Sequence, residues 1–179
     1  MSPPAIPDLA WWREDPERWE LVEFDGQHDE DGLPIDIRWE DREQVLEALV
    51  RDPGHEDGDF ARFLLIQETR RHGHSWGFSH CIEIAALRVA EERRVEDVWL
   101  LWEAVSTSFD TWCGLPHRLL FAAGVATTTE YVQGADHPQR EHLLKYVGEI
   151  SEVTDEEVAQ TLAHRRRHYS EILDEPAGE

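Results

Sequence analysis

SHCIEIAALRVAEERR, residues 79–94, carries the plainest helical pattern in the chain. Its apolar side chains recur at spacings of three and four residues, the period of an α-helix with one buried face. Small residues on that face allow a neighbouring helix to approach closely. The segment therefore predicts a packed helix whose buried stripe consists of Ile82, Ala85, Ala86, Val89 and Ala90.

The same period recurs on both sides of this segment. Pro53-Gly54 ends one helix, and Asp59 is expected to cap the next. Thr154 and Glu157 form a capping box ahead of the last helix. The middle helices are centred about 20 residues apart, a spacing typical of stacked antiparallel hairpins. We therefore predict an all-α protein of about seven helices, arranged as a bundle or as a short α-solenoid. The apolar stripes of these helices are Val45–Val50, Phe60–Leu64, Ile82–Ala90, Val98–Val105, Leu119–Ala123, Leu143–Val147 and Val158–Ile172.

Residues 1–39 have a different character. Prolines, glycines and carboxylates interrupt any period, and Trp19–Phe24 (WELVEF) is the stretch that could form a short strand. The segment also holds Trp11, Trp12, Trp19 and Trp39, and a packed Trp can bury about 200 Å². We predict an irregular, acidic, Trp-rich arm over residues 1–39 that packs on a helical domain over residues 40–179.

Asp and Glu dominate the charge of the chain. The sequence has 39 acidic residues against 17 Lys and Arg, and the first 58 residues carry −13 of the formal net charge of −22. Nucleic-acid binding relies on clustered Lys and Arg, so this balance argues against a nucleic-acid ligand. The partner that such a field would attract is a basic protein or peptide. Adaptation to a salt-rich cytoplasm is the alternative explanation of the acidity.

We therefore predict a non-catalytic interaction protein of the immunity, inhibitor, adaptor or nucleic-acid-mimic type, with its oligomeric state left open. Carboxylates would accelerate the encounter with a basic partner, and aromatic side chains would prolong the complex. Exposed rings among Trp99, Trp102 and Trp112 would mark a binding surface. The predicted partner-binding residues are Trp11, Trp12, Glu14, Asp15, Glu17, Asp29, Glu30 and Asp31.

The two cysteines, Cys81 and Cys113, lie too far apart in sequence for a C-x-x-C motif, so neither a disulfide scaffold nor a zinc ribbon is expected. Cys113 is predicted to be a small core residue.

The N-terminus lacks the pattern of a secretory signal, and no apolar run approaches the roughly 18 residues of a membrane span. These observations predict a cytoplasmic protein that does not enter a membrane.

A metal-dependent enzyme is the first alternative. His164 and His168 are one helical turn apart, which lets two imidazoles meet one ion, and Glu157 and Glu171 fall on the same face. A divalent transition metal would be the cofactor, with His142 or His80 as the third ligand. A solvated polar face is the other interpretation of this stripe. Further metal-ligand candidates are His55, His72, His74, His80 and Cys81.

Two other short motifs stand out. Gly73-His74-Ser75-Trp76-Gly77 matches G-x-S-x-G and resembles the nucleophile elbow of the α/β-hydrolases, which implies Ser75 as a nucleophile. The elbow follows a buried strand, whereas residues 68–72 are polar, so serine hydrolysis ranks below the metal alternative. Arg165-Arg166-Arg167 point in three directions around a helix, and we expect them to pair with neighbouring acidic elements, with the N-terminal arm as a candidate.

Overall fold

A computed structural model describes residues 8–54, 57–150 and 153–174, and His55 lies outside this range. Short 3-10 helices span Pro16–Val22, Val95–Asp97 and His117–Phe121. Strands β1 (Gln27–His28) and β2 (Pro34–Ile35) pair antiparallel. The α-helices are α1 (Leu9–Glu14), α2 (Trp39–Arg51), α3 (Gly58–His74), α4 (His80–Glu91), α5 (Val98–Ser106), α6 (Phe109–Gly114), α7 (Val125–Gly134), α8 (Arg140–Glu149) and α9 (Asp155–Asp174). The predicted all-α fold is confirmed, and the described helices include none that is both long and apolar enough to cross a membrane.

Helix α4 is the centre of the fold. Every side chain from Cys81 to Ala90 is buried, so the single stripe predicted from the sequence covers only part of the buried surface. The reason is that α2, α3, α5 and α9 all pack against this helix. Because α9 also contacts α2, the helical part of the chain closes on itself. In a solenoid each repeat contacts only its neighbours, so the fold is a bundle.

Carboxylates on α4 form ion pairs with arginines of α9. Glu83 accepts a hydrogen bond from the Tyr169 hydroxyl at 2.6 Å and pairs with Arg165 at 3.1 Å. Arg166 pairs with Glu91 at 2.6 Å. The predicted pairing of Arg165 and Arg166 with acidic neighbours is confirmed, and the partners lie on α4. This pairing matters because a buried carboxylate without a partner would be strongly destabilising.

Residues 8–38 precede α2, and two of their Trp rings pack on α3. Trp12 and Trp19 stack on Phe60 of α3, with ring centroids 5.9 and 4.8 Å away. Arg13 bonds both carboxylate oxygens of Asp57, the residue that precedes α3, at 2.8 Å each. The expectation that Asp59 would cap this helix was therefore off by two positions. The strand predicted at residues 19–24 is also wrong, because residues 16–22 form a 3-10 helix that begins at a proline.

Two features between α5 and α8 differ from the predictions. Helix α7 was not expected, because VATTTEYVQG is rich in β-branched residues with modest helix propensity. It begins after Gly124, whose φ of 111° ends the preceding 3-10 turn. Cys113 is exposed and is not a core residue, because the side chains of α6 and its C-cap that face the core are Thr111 and Leu115. Cys81 is the buried thiol, and burial raises its pKa to about 12.

Candidate binding surface

Four exposed rings form what we call the aromatic surface. Trp76 is 99 % exposed and Phe109 is 80 % exposed, while Phe78 and Trp112 are 40 % and 39 % exposed. Trp76 and Phe78 belong to the loop of residues 75–79 between α3 and α4, and the other two rings lie on α6. The described part of the chain thus presents large apolar rings to solvent from two neighbouring elements.

The loop of residues 75–79 is fixed against α6 at two points. The Gly77 amide donates to the Asp110 carboxylate at 2.8 Å, and Gly77 has the positive φ of 91° that favours glycine. Phe78 lies directly over Gly114, where a Cβ atom would come within 2.4 Å of the Phe78 ring. A side chain larger than hydrogen at position 114 would therefore displace Phe78. The backbone that carries Trp76 and Phe78 is therefore fixed against α6.

Trp112 rests on an aromatic base. Its ring contacts Trp102 and Tyr146 edge-on, with centroids 6.0 and 5.4 Å away. His117 donates from Nε2 to the Trp112 carbonyl at 2.8 Å and accepts the Tyr146 hydroxyl at Nδ1 at 2.5 Å. Burial raises the pKa of Tyr146, so its hydroxyl stays protonated and can donate. Of the three rings singled out for exposure, Trp102 is buried and Trp99 stacks on His137 at 3.9 Å, so Trp112 is the exposed one.

Residues 25–36 form what we call the acidic hairpin. The Asp29 carboxylate accepts from the amides of Asp31 at 2.9 Å and Leu33 at 2.8 Å, which fixes the turn between β1 and β2. Glu30 and Asp31 are exposed at this turn. Leu33 is 62 % exposed beside them. The hairpin therefore presents carboxylates and an apolar side chain together at a defined turn.

A groove lies between the acidic hairpin and the start of the loop of residues 75–79. Its volume is about 300 Å³, and Phe24, Ile35, Asp36, Trp39, Arg71 and Ser75 line it. Ile35 belongs to the hairpin, and Ser75 begins the loop that carries Trp76 and Phe78. Phe24 stacks on His74 with centroids 5.6 Å apart, and the Arg71 guanidinium lies 5.4 Å from the Trp39 ring centroid. The groove thus runs from the hairpin to the first residue of that loop.

A buried ion cluster supports the base of the hairpin. Arg42 is fully buried, donates from Nε to Glu68 at 2.7 Å and pairs through Nη2 with Asp36. It also donates to the Val22 carbonyl at 3.2 Å. Burial alone would lower the pKa of Arg42, but its bond to Asp36 and the charge of Glu68 raise it above the ordinary value. Arg42 therefore stays charged and ties the hairpin to α2 and α3.

The predicted partner-binding residues have different environments. Glu17, Glu30 and Asp31 are exposed. Glu14 and Asp15 pair with Arg18 at 2.8 and 3.7 Å, and Trp11 is half-buried. Trp12 is only 3 % exposed, so its ring belongs to the core and cannot contact a partner. The correction follows from its stacking on Phe60.

The face of α9 predicted to bind a metal has His164 and His168 side by side. Their rings are nearly parallel, with centroids 6.5 Å apart. The Glu157 carboxylate accepts the Thr154 amide at 3.0 Å, which lowers the pKa of Glu157, and it also pairs with Arg118. His164 lines a groove of about 550 Å³ beside Cys113. Neither these histidines nor Glu157 and Glu171 belong to a group of three donor atoms within 4.8 Å in the described chain; the group that meets this criterion is Glu43, His80 and Cys81.

The other loop histidines are engaged elsewhere. His72 is buried, its Nδ1 donates to the Glu68 carbonyl at 2.7 Å, and its Nε2 accepts the Ser79 amide at 3.2 Å. Both ring nitrogens are used, and burial lowers the pKa of His72. His72, one of the metal-ligand candidates, therefore has both ring nitrogens engaged within the fold. His74 is exposed and stacks on Phe24.

Ser75 does not sit on a nucleophile elbow. Gly73 and His74 form the last turn of α3, so a helix and not a buried strand precedes Ser75. The Ser75 hydroxyl donates to the Arg71 carbonyl one turn earlier, at 2.9 Å. The serine thus ends a helix.

Comparison of the chain with protein-family models, with curated proteins and with solved structures gives no match.

Proposed function

We propose that this chain is a non-catalytic interaction protein that binds a basic protein or peptide through the aromatic surface and the acidic hairpin. The observation that carries the proposal is the 99 % exposure of Trp76 on a loop that is hydrogen-bonded to α6. A Trp ring can bury about 200 Å² at about 25 cal/mol per Å², so leaving it in water forgoes up to about 5 kcal/mol. Aromatic anchors of this kind are typical of interface hot spots.

Charge supports a cationic partner. The chain has a net charge of −22, and Glu30 and Asp31 are exposed at the turn of the acidic hairpin. Such a field attracts basic surfaces and raises the association rate, while the aromatic contacts set the dissociation rate. An immunity, inhibitor, adaptor or nucleic-acid-mimic protein uses this combination of properties.

Isothermal titration calorimetry with defined peptides tests the proposal. One amphipathic peptide combines Arg and Leu, and its match replaces each Arg by Glu. We expect the cationic peptide to bind and the anionic one not to bind, with affinity falling steeply as salt is added. A Trp76→Ala, Phe109→Ala double variant should weaken binding by at least about tenfold, or about 1.4 kcal/mol. A Glu30→Gln, Asp31→Asn variant should lower the salt dependence.

Two matched controls separate this surface from general effects. Ile172→Ala removes an exposed apolar side chain from α9, and Glu130→Gln with Glu141→Gln removes two exposed charges from α7 and α8. Neither should change the affinity appreciably. Equal binding of the two peptides, absence of binding, or full affinity in the Trp76→Ala, Phe109→Ala variant would reject the proposal. Concentration-dependent dimerisation that Trp76→Ala abolishes would replace the basic partner by a second copy of the chain.

A further inference from the structure

A second cluster of chemically reactive side chains lies where α2 meets the start of α4. Glu43 belongs to α2, and His80 and Cys81 are the first two residues of α4. His80 Nε2 lies 3.2 Å from Glu43 Oε1, and Cys81 Sγ lies 3.8 Å from the same oxygen. The three donor atoms all fall within 4.8 Å of one another. Nitrogen, sulfur and oxygen donors thus converge on one small volume.

Two of the three separations are close to those around a tetrahedral zinc ion. Zinc binds nitrogen and oxygen at about 2.0–2.1 Å and thiolate sulfur at about 2.3 Å. In a tetrahedron these bonds place nitrogen and oxygen about 3.3 Å apart and sulfur and oxygen about 3.6 Å apart. The observed 3.2 and 3.8 Å differ from these values by a few tenths of an ångström. The third pair, nitrogen and sulfur, lies within 4.8 Å, so the side chains must rotate to bring all three donors to one ion.

We infer that Glu43, His80 and Cys81 bind Zn²⁺, with water in the fourth position. A donor set of thiolate, imidazole and carboxylate suits this borderline-soft ion. On binding, the S–H bond of Cys81 breaks, its proton leaves to solvent and an S–Zn bond forms. His80 binds through Nε2 as neutral imidazole. Thiolate and carboxylate then balance the two positive charges of the ion.

The surroundings give the site one closed and one open side. Cys81 is buried, whereas the His80 side chain is 47 % exposed and that of Glu43 is 26 % exposed. The ion would enter from the side of His80, where the bound water would also lie. Ser79 caps α4 by accepting the Cys81 amide at 3.2 Å, which holds the backbone of both α4 ligands. This site goes beyond the proposed binding function and does not depend on it.

Cobalt titration of chelator-treated, untagged protein tests the site. We expect one equivalent of Co²⁺ to bind with a thiolate-to-cobalt charge-transfer absorption, and Zn²⁺ to displace it. Cys81→Ser should remove the charge-transfer absorption. His80→Ala and Glu43→Gln should lose stoichiometric binding. Zn²⁺ should also raise the thermal midpoint of unfolding of the parent chain and not that of His80→Ala.

The chain contains its own controls. Cys113→Ser and a His164→Ala, His168→Ala double variant should keep stoichiometric binding, because neither touches the three ligands. His80 is exposed, so His80→Ala is expected to fold even if Cys81→Ser disturbs the core. Absence of Co²⁺ and Zn²⁺ binding in the parent chain would overturn the inference. So would loss of binding in the α9 double variant or retention in His80→Ala.

Discussion

Arg42 is a buried charged residue that needs partners for its guanidinium. It is fully buried, and its guanidinium meets Glu68, Asp36 and the Val22 carbonyl. Replacing such a cluster by apolar side chains can be neutral, but removing one partner leaves an uncompensated buried charge. The cluster also fixes where the acidic hairpin leaves the bundle.

Arg42→Met should therefore lower the free energy of unfolding by about 3–5 kcal/mol, because Glu68 and Asp36 lose their buried partner. Urea denaturation followed by circular dichroism measures the change. The matched control is Arg38→Met, since the Arg38–Asp41 pair at 3.3 Å is partly exposed and worth about 0–1 kcal/mol. Equal effects of the two substitutions would mean that the buried cluster contributes no more than a surface pair.

His72 gives the fold an acid-sensitive element. His72 Nδ1 lies next to the Glu68 carbonyl and must therefore carry the proton. His72 Nε2 accepts a hydrogen bond from the Ser79 amide and must therefore be unprotonated. Protonation of Nε2 would break the bond to Ser79, and burial lowers the pKa of His72 below its ordinary value of 6.5. Below about pH 6.5 the unfolded chain binds a proton that the folded chain does not, so stability falls as pH falls.

His72→Gln should remove this contribution. In the parent chain, His72 lowers the free energy of unfolding by at most about 1.4 kcal/mol for each pH unit below 6.5. This loss ends at the pKa that His72 has in the folded chain. Urea unfolding at a series of pH values gives the slope for each variant. His142→Gln, which changes an exposed histidine, is the matched control. An unchanged slope in His72→Gln would assign the acid sensitivity to other groups.

At the scale of elements, α6 is short yet well defined because of its N-terminus. Ser108 accepts the Thr111 amide at 3.1 Å, and the Thr111 hydroxyl accepts the Ser108 amide at 3.0 Å. This reciprocal pair satisfies two backbone donors that a helix start leaves unpaired. The same helix carries Phe109 and Trp112, so the cap also places half of the aromatic surface.

Ser108→Ala should lower the free energy of unfolding by about 1 kcal/mol through loss of the cap. Ser106→Ala is the matched control, because that hydroxyl donates only to the Trp102 carbonyl within α5. Its effect should be close to zero or slightly stabilising. Urea denaturation of the two variants side by side provides the comparison, and an equal loss in both would argue against the cap.

Contact between α6 and the loop of residues 75–79 makes Gly114 sensitive to substitution. A Cβ atom there would meet the Phe78 ring at 2.4 Å, so Gly114→Ala must displace the loop of residues 75–79 or the end of α6. We expect a loss of about 1–3 kcal/mol, as for other overpacked sites. Gly134→Ala at the end of α7, where nothing lies within 4 Å, should be neutral. Thermal unfolding of both variants checks the contrast.

The helices that could be predicted from the sequence are those with a clear local signal, such as a capping box or a helical apolar period. The capping box of Thr154 and Glu157 starts α9 as expected, and the helical period of residues 79–94 became α4. Helix α7 has no comparable period or cap, and its existence depends on packing against its neighbours. Burial on all sides of α4 is likewise a property of four surrounding helices, which no local pattern contains.

At the scale of the whole molecule, excess negative charge opposes compactness. With a net charge of −22, self-repulsion should outweigh the exposed ion pairs, whose individual contributions are small. Added NaCl should therefore raise the thermal midpoint of unfolding. The Glu30→Gln, Asp31→Asn double variant removes two charges at the hairpin, and Glu130→Gln with Glu141→Gln removes two elsewhere. If repulsion is concentrated at the hairpin, the first variant should reduce the salt-induced rise of the midpoint more than the second. Equal reductions would indicate a charge that is spread evenly.

The candidate surface was only half visible in the sequence. Asp29, Glu30 and Asp31 stood out because charge and turn residues can be recognised locally. Trp76 and Phe109 did not, because a Trp or Phe in a sequence is by default a core residue. Their exposure follows from how the loop of residues 75–79 docks on α6 through Gly77 and Gly114. Such docking depends on contacts between residues more than 30 positions apart.

Among the Trp and Phe rings described, the indole of Trp76 alone faces water over nearly all of its area. A dissolved quencher such as acrylamide should therefore reach its fluorescence before that of the sheltered rings, and its emission should lie at longer wavelengths. Any molecule that covers this ring will shift the light towards the blue. The chain thus supplies its own label-free optical reporter for the event that its surface is proposed to serve.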